Sequence, residues 1–467
     1  MQAELSAALS AQRTAFAREV PGERQRREAL RALLNGVQDR REEFVAAISE
    51  DFGGRAREET LLLEIFPLVD NIRHSIRHLA EWMRPQPAET GWQFLPGRAR
   101  VVYQPLGVVG VIGAWNYPLL LSLSPLAGAL AAGNHVMLKP SELAPRTADL
   151  LARLISDLFP DHYATVVTGG PEMGAAFAAL PFDHLLFTGS TRVGKLIMRS
   201  ASEHLTPVTL ELGGKSPALV HADFPAKTAA QRIMGGKLYN AGQTCIAPDY
   251  ALVEAGAREE FVRLAAAAAA AEYPKLVDNP DFTRIINRSH YQRLRGLVED
   301  AMLKGAAMQE VNPARESCND QNRVFAPTFL WNVKDEMAVM REEIFGPILP
   351  VVTYRSLDEA IAYVNAHPRP LALYYFDYNS KRVDRILAET ISGGVTVNDT
   401  ILHIAQNSLP FGGVGPSGMG AYHGYDGFLT FSKKKGVFLQ SRFNTLGLLR
   451  PPYGKLARRM ADFLIGG

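Results

Sequence analysis

The sequence predicts an α/β protein built around a mostly parallel sheet with helices on both faces. Three observations carry this. The chain has 467 residues, more than the roughly 250–300 over which a single hydrophobic core keeps growing, so two or more domains are expected. From Gln104 onward, continuous apolar runs alternate with helical ones, the pattern of parallel strands joined by crossover helices. The composition, 47% hydrophobic and 21% charged, is that of an ordinary globular protein.

Taken in order, residues 1 to about 84 read as helical, with Phe44 and Ile48 one turn apart and Pro21-Gly22 and Gly53-Gly54 as punctuation. His74 and His78 stand i, i+4, as two metal ligands on a helix do. No third ligand follows in a zinc pattern, so a partly solvated helix face is the better reading. Pro85, Pro87, Pro96 and Gly97 break the helix, and Trp92–Tyr103 reads as extended, a hairpin leaving the domain body. Strands are then expected at Val108–Gly113, His135–Lys139, Ala164–Val167, His184–Phe187 and Pro207–Glu211. Between them come helices at Leu119–Ala132, within Thr147–Leu158, at Glu172–Ala179 and at Thr191–Ala201. This is a Rossmann-like plan, in which ligands sit at the carboxyl ends of the strands. A second α/β unit follows with strand Pro217–Val220, helix Ala226–Tyr239 and strand Tyr250–Val253. The alanine run Ala265–Ala271 continues a helix that begins near Arg258, because alanine is the best helix former. Residues 405–441, rich in glycine and carrying Lys433-Lys434-Lys435, read as loops and strands.

Several classes of function are disfavoured. A net charge of +2 gives no global reason to expect nucleic acid as a partner. Only two cysteines occur, Cys245 and Cys318, in no metal-ligand spacing, so no disulfide framework and no metal are expected and a reducing cytoplasm is the simplest compartment. Met1–Arg13 lacks the pattern of a secretory signal. The most lipid-like stretch, Pro118–Gly133, is shorter than the ~20 apolar residues of a spanning helix and contains Pro125, so it reads as a buried helix.

The chemistry-bearing residues fall at strand ends and in one loop. Cys245 follows Ala241-Gly242, where glycine permits close backbone approach; it is either a nucleophile or a small buried hydrophobe. Glu211 ends an apolar strand, where desolvation should raise its pKa and suit it to general-base work; the plainer alternative is an ion pair with Lys215. Asn116 can donate two amide hydrogens to a developing oxyanion, or simply form the turn before Tyr117-Pro118. Phe187-Thr188-Gly189-Ser190-Thr191-Arg192-Val193-Gly194 is a strand, a glycine turn and a helix start able to receive a phosphate. It matches neither the dinucleotide fingerprint nor a Walker loop.

Together these segments resemble the aldehyde dehydrogenase superfamily over nearly the whole chain. The resemblance rests on Pro105-Leu106-Gly107-Val108 with Trp115-Asn116-Tyr117-Pro118, on Lys139-Pro140-Ser141-Glu142, on Phe187-Thr188-Gly189-Ser190 and on Glu211-Leu212-Gly213-Gly214-Lys215. Gly242-Gln243-Thr244-Cys245 and Glu342-Glu343-Ile344-Phe345-Gly346-Pro347 complete it, in the expected order and spacing. It implies oxidation of an aldehyde to a carboxylic acid with NAD(P). Cys245 is then the nucleophile, Glu211 the base for the deacylating water, and Asn116 with the Cys245 amide the oxyanion hole. Lys139 and Glu142 hold the adenosine ribose, Gly189–Gly194 the pyrophosphate, and Glu343 and Phe345 the nicotinamide ribose, with Trp115 and Leu212 also against the cofactor. Glu142 should repel a 2′-phosphate and so favour NAD over NADP. Tyr117, Tyr239 and His403 are candidates for the substrate tunnel.

Gln243–Tyr250 and Phe411–Gly420 resemble the class 3 branch, which includes fatty-aldehyde and coniferyl-aldehyde enzymes; the tail from Ser441 resembles the bacterial coniferyl type. That implies hydrophobic aliphatic or aromatic substrates and a homodimer. Phe463-Leu464-Ile465 is too short to span a bilayer. The implied organisation is an NAD(P)-binding domain at 1–85 and 105–208, a catalytic domain at 209–404, an oligomerisation element at 86–104 and 405–441, and a tail at 442–467. Three rivals remain: an acylating enzyme that passes the thioester to coenzyme A, a non-catalytic protein on the same fold, and a cofactor-free cysteine hydrolase. Acylating enzymes commonly lack a Glu at the position of Glu211, so its presence favours hydrolysis.

Overall fold

A computed structural model of the protein describes residues 1–444, 447 and 450–466. Three sheets organise them. The first has six strands in the order Gly418–Met419, Val208–Glu211, His184–Thr188, Val108–Ile112, His135–Lys139, Ala164–Val166. All neighbours are parallel except Gly418–Met419. Numbered along the chain, its parallel strands lie in the order 5-4-1-2-3. The direction of winding therefore reverses beside Val108–Ile112, and a crevice opens there at the carboxyl ends. Val108–Ile112, His135–Lys139 and His184–Thr188 are buried throughout, as strands covered on both faces must be.

The second sheet has seven strands, in the order Ala307–Glu310, Thr328–Trp331, Ile348–Tyr354, Tyr250–Glu254, Pro217–Val220, Ala372–Phe376, Gly394–Val397. Only Ala307–Glu310 runs antiparallel to its neighbour. The third is antiparallel: Arg98–Pro105 lies between Gln86–Ala88 and Ser432–Leu439.

The N-terminal region is helical as expected, with Gln2–Arg18, Glu23–Asp39, Arg41–Phe52 and Phe66–Trp82 as its main helices. Leu120–Ala132 is buried at every position and ends at Gly133 in the left-handed region, φ 89°, so the apolar run is a core helix. Among the described residues no helix is long and apolar enough to cross a membrane.

Two expectations need correction. Trp92–Phe94 is a single 3₁₀ turn rather than extended chain, and the strand begins only at Arg98. Within 405–441, residues Gly424–Thr430 form a helix. Its two glycines conceal it in the sequence, and burial of Phe428, with Phe431 just beyond it, outweighs their poor helix propensity.

Candidate active site

The carboxyl ends of the six-stranded sheet open into one cavity of about 1610 Å³, which also meets the loop carrying Cys245. Four of the sheet's strands deliver residues to it: Trp115 and Asn116 beyond Val108–Ile112, Lys139 and Glu142 at the end of His135–Lys139, Thr188–Val193 after His184–Thr188, and Glu211–Gly213 after Val208–Glu211.

Cys245 sits just past the 3₁₀ turn Tyr239–Gly242, inside a turn closed by the Ala247 amide donating to the Thr244 carbonyl at 3.0 Å. Gly242 is required here: its φ is 75°, and a Cβ would lie 2.3 Å from the Gly346 carbonyl oxygen. The thiol is only partly exposed, and burial pushes it up to about 12, with the carboxylates of Glu343 and Glu211 adding to the rise. The amides of Cys245 and Ile246 hydrogen-bond toward the sulfur and oppose that shift.

Glu211 is 3% exposed, and neither carboxylate oxygen has a hydrogen-bond partner among the described residues. Burial alone drives its pKa well above the ordinary value. The ion pair with Lys215 does not form. That lysine is committed to Asp249 and to the carbonyls of Val339 at 2.8 Å and Glu342 at 3.0 Å. An unpartnered buried carboxylate is costly, and its place in a cavity wall beside a cysteine is a functional signature.

Asn116 is buried, and its Nδ2 donates to the Gln243 carbonyl at 3.2 Å, which brings the amide against the Cys245 loop. Its own carbonyl accepts from Asn240 Nδ2 at 3.0 Å and from Arg55 Nη1 at 3.1 Å. Tyr117 Oη meets Thr244 Oγ1 at 2.7 Å.

At the other end of the cavity Lys139 Nζ donates to Glu142 Oε2 at 2.8 Å. Gly174 faces this pair, and a Cβ there would lie 3.6 Å from Lys139 Cε, so a larger side chain would begin to fill the space. Helix Thr191–Ser202 starts at Ser190, whose Oγ accepts from the Val193 amide at 3.4 Å. Thr191 and Arg192, whose first-turn amides have no intrahelical acceptor, line the cavity. A lysine–carboxylate pair, a bare helix start and a long cavity fit the ribose and pyrophosphate of a dinucleotide. Glu343 is half-buried, its carboxyl lies against Gly213, and desolvation of that carboxyl pushes it up to about 8. Phe345 and Trp115 meet edge to face at 5.3 Å.

Two residues expected at the site do not reach the cavity wall. Gly194 packs inward, where a Cβ would lie 2.6 Å from Leu212 Cδ2. His403 turns away from the cavity within the 3₁₀ turn Leu402–Ala405: its Nδ1 meets Thr396 Oγ1 at 2.8 Å, while Leu402 and Ile404 line the wall. Tyr117 and Tyr239 do line it. Sequence reasoning missed Tyr422 and His423. Both line the cavity, and Tyr422 Oη and His423 Nε2 are buried without a partner among the described residues. Tyr422 lies within electrostatic reach of Glu211 and Cys245. Nothing in the glycine-rich 411–424 segment marks either residue in advance.

Comparison with known proteins identifies the family. The model of the aldehyde dehydrogenase family matches residues 1–437. A Pseudomonas aeruginosa protein named "Probable coniferyl aldehyde dehydrogenase" is 52% identical over 458 residues, 98% of this chain and 95% of that one. The solved substrate-bound state of Staphylococcus aureus AldH superposes with a TM-score of 0.92 at 37% identity, covering 98% of this chain and 99% of the other. The NAD+ complex of a Mycobacterium tuberculosis aldehyde dehydrogenase gives 0.86 at 27% identity, covering 95% and 92%.

Proposed function

The chain belongs to the aldehyde dehydrogenase family, and from that membership we propose how its own residues carry an aldehyde to a carboxylic acid with NAD(P). Cys245 Sγ adds to the carbonyl carbon and gives a thiohemiacetal whose oxygen is stabilised by Asn116 Nδ2 and the Cys245 amide. One oxyanion donor is worth about 2.7–4 kcal/mol. NAD+ bound in the cavity supplies the hydride acceptor. Glu211 then takes a proton from the water that attacks the Cys245 thioester, releasing the acid and the thiol. General-base assistance of this kind contributes roughly 10²–10⁴ in rate. The observation that carries the reading is the buried, unpartnered Glu211 carboxylate in one cavity wall with Cys245. A coenzyme A-acylating enzyme has no use for such a base.

The preferred substrates in this reading are hydrophobic, medium-chain or aromatic aldehydes. Leu62, Phe66, Tyr117, Leu120, Tyr239 and Phe411 in the cavity wall support it, as does the coniferyl-aldehyde name of the Pseudomonas relative. NAD is the favoured cofactor, the enzyme works as a homodimer in the cytoplasm, and both cysteines are free thiols. The six-stranded sheet is the cofactor half, the seven-stranded sheet the catalytic half, and the three-stranded sheet the oligomerisation element. The test is NADH formation with a panel of aldehydes: cinnamyl-type aldehydes and hexanal should exceed acetaldehyde in kcat/KM. The reverse order would sink the substrate assignment, and no NADH with any aldehyde would sink the reaction.

A further inference from the structure

Helix Arg41–Phe52 ends at Gly53 and Gly54, both with positive φ, and this turn drives the next residue inward. That residue is Arg55, whose guanidinium is wholly buried. It belongs neither to the cavity wall nor to any motif discussed above. A buried arginine needs partners that repay its desolvation, and its choice of partners is informative. Nη1 donates to Glu64 Oε1 at 2.7 Å and to the Asn116 carbonyl at 3.1 Å. Nε and Nη2 have no hydrogen-bond acceptor among the described residues, and the guanidinium lies over the Tyr117 ring, 4.8 Å from its centroid. Glu64 in turn accepts the Leu119 and Leu120 amides at 2.9 and 3.1 Å. The ion pair thus holds both ends of the short loop Asn116–Leu120.

On its far side the same loop meets the catalytic turn through Asn116 Nδ2 to Gln243 and Tyr117 Oη to Thr244. Asn240 completes the contact: its Nδ2 donates to both the Asn116 and the Gln243 carbonyls, and its amide is held by Glu59 Oε1 at 3.0 Å. We propose that Arg55, clamped by Glu64, is a positioning residue that sets the Asn116 amide against the Cys245 loop. The proposal rests on the reading of Asn116 as an oxyanion donor. It assigns to the N-terminal helical region a part in the steps that lead to NADH, through placement of that donor and not through contact with substrate.

The test is a cycle built on Arg55→Met combined with Glu64→Gln, so that no unpaired carboxylate is left buried and the new amide oxygen still accepts from Leu119 and Leu120. Glu64→Gln alone is the control, and each form is also made with Asn116→Ala. Single-turnover NADH formation, NAD+ affinity by fluorescence and unfolding temperature are measured for all. The double variant should lose about 10²-fold in single-turnover rate, the loss expected for a reacting group displaced by ~1 Å. NAD+ affinity should stay at the wild-type value. In the Asn116→Ala background the same pair of changes should alter the rate by no more than about twofold, the scatter of ordinary additivity. A double variant with the wild-type rate, a loss that multiplies with that of Asn116→Ala, or loss of NAD+ binding would each overturn the proposal. If Asn116→Ala alone keeps the wild-type rate, the oxyanion assignment itself falls and takes the proposal with it.

Discussion

At the scale of single residues, the site holds two acids and a thiol whose ionisation burial opposes. In the proposed reaction Glu211 and Cys245 are separable by the step each would serve. Cys245→Ala should abolish both the first turnover of NADH and the steady rate. Glu211→Gln keeps size but removes the base, so a burst approaching one NADH per site should precede a much slower steady rate. Full steady turnover by Glu211→Gln, with no acyl-enzyme seen by mass spectrometry, would remove Glu211 from its role. The thiol gives a second prediction. With its pKa pushed up to about 12, alkylation of Cys245 by iodoacetamide, with no NAD+ added, should be slow at neutral pH. It should rise about tenfold per pH unit as the thiolate fraction grows. Glu343 is a negative neighbour that contributes to that rise, so Glu343→Gln should speed alkylation at pH 9, where the carboxyl with its pKa near 8 is ionised. Equal rates would show that Glu343 does not act on the sulfur. The same shift has a sign for stability. A carboxyl raised from 4.5 to about 8 stabilises the fold at low pH, and that contribution is lost as pH rises through 8.

At the scale of elements, specificity for the cofactor is expected where strand His135–Lys139 gives way to the loop bearing Glu142. Its hydrogen bond with Lys139 holds Glu142 ionised, below the usual carboxylate range, although burial opposes this. A fixed anion at a ribose site repels a 2′-phosphate. NAD should therefore exceed NADP in kcat/KM, and Glu142→Gln should narrow the ratio chiefly by improving NADP. A wild-type preference for NADP, or a ratio unmoved by the substitution, would contradict this. Strands were legible where a short apolar run stands out from its surroundings: His135–Lys139, between Asn134 and Pro140, and Pro217–Val220 coincide with the sequence reading residue for residue. Gly424–Thr430 was not legible, since its helical state depends on Phe428 and Phe431 finding the core helix Leu120–Ala132.

At the scale of the whole molecule, the three-stranded sheet stands apart in character. Ser432–Leu439 is an edge strand of eight residues, with Phe438 and Leu439 exposed, and Trp92, Phe94 and Leu95 exposed nearby. Lys433–Lys435 charge the first half of this edge, but its second half, Val437–Leu439, is apolar and invites pairing. Sedimentation should give twice the mass of one chain. Phe438→Glu with Leu439→Glu should shift the equilibrium toward a single chain while NAD+ binding persists. A monomeric wild type, or a dimer indifferent to both changes, would place the interface elsewhere.

The sequence by itself determined the succession of parallel strands and helices from Val108 to Glu211 and singled out Cys245, Glu211, Asn116, Lys139 and Glu142, because local hydrophobic period and motif order are properties of neighbouring residues; five of the seven strands of the second sheet, from Ala307–Glu310 to Gly394–Val397, were not read from it. Only the tertiary structure decided which distant side chains each of those residues meets. It removed Lys215 from Glu211 by engaging it with Asp249, rotated His403 out of the cavity, and brought Tyr422 and Arg55 to a site hundreds of residues apart in the chain. The physical reason is that a side chain's partners, and hence its charge state and its use, are set by the dense packing of distant segments, and no local window of sequence contains them.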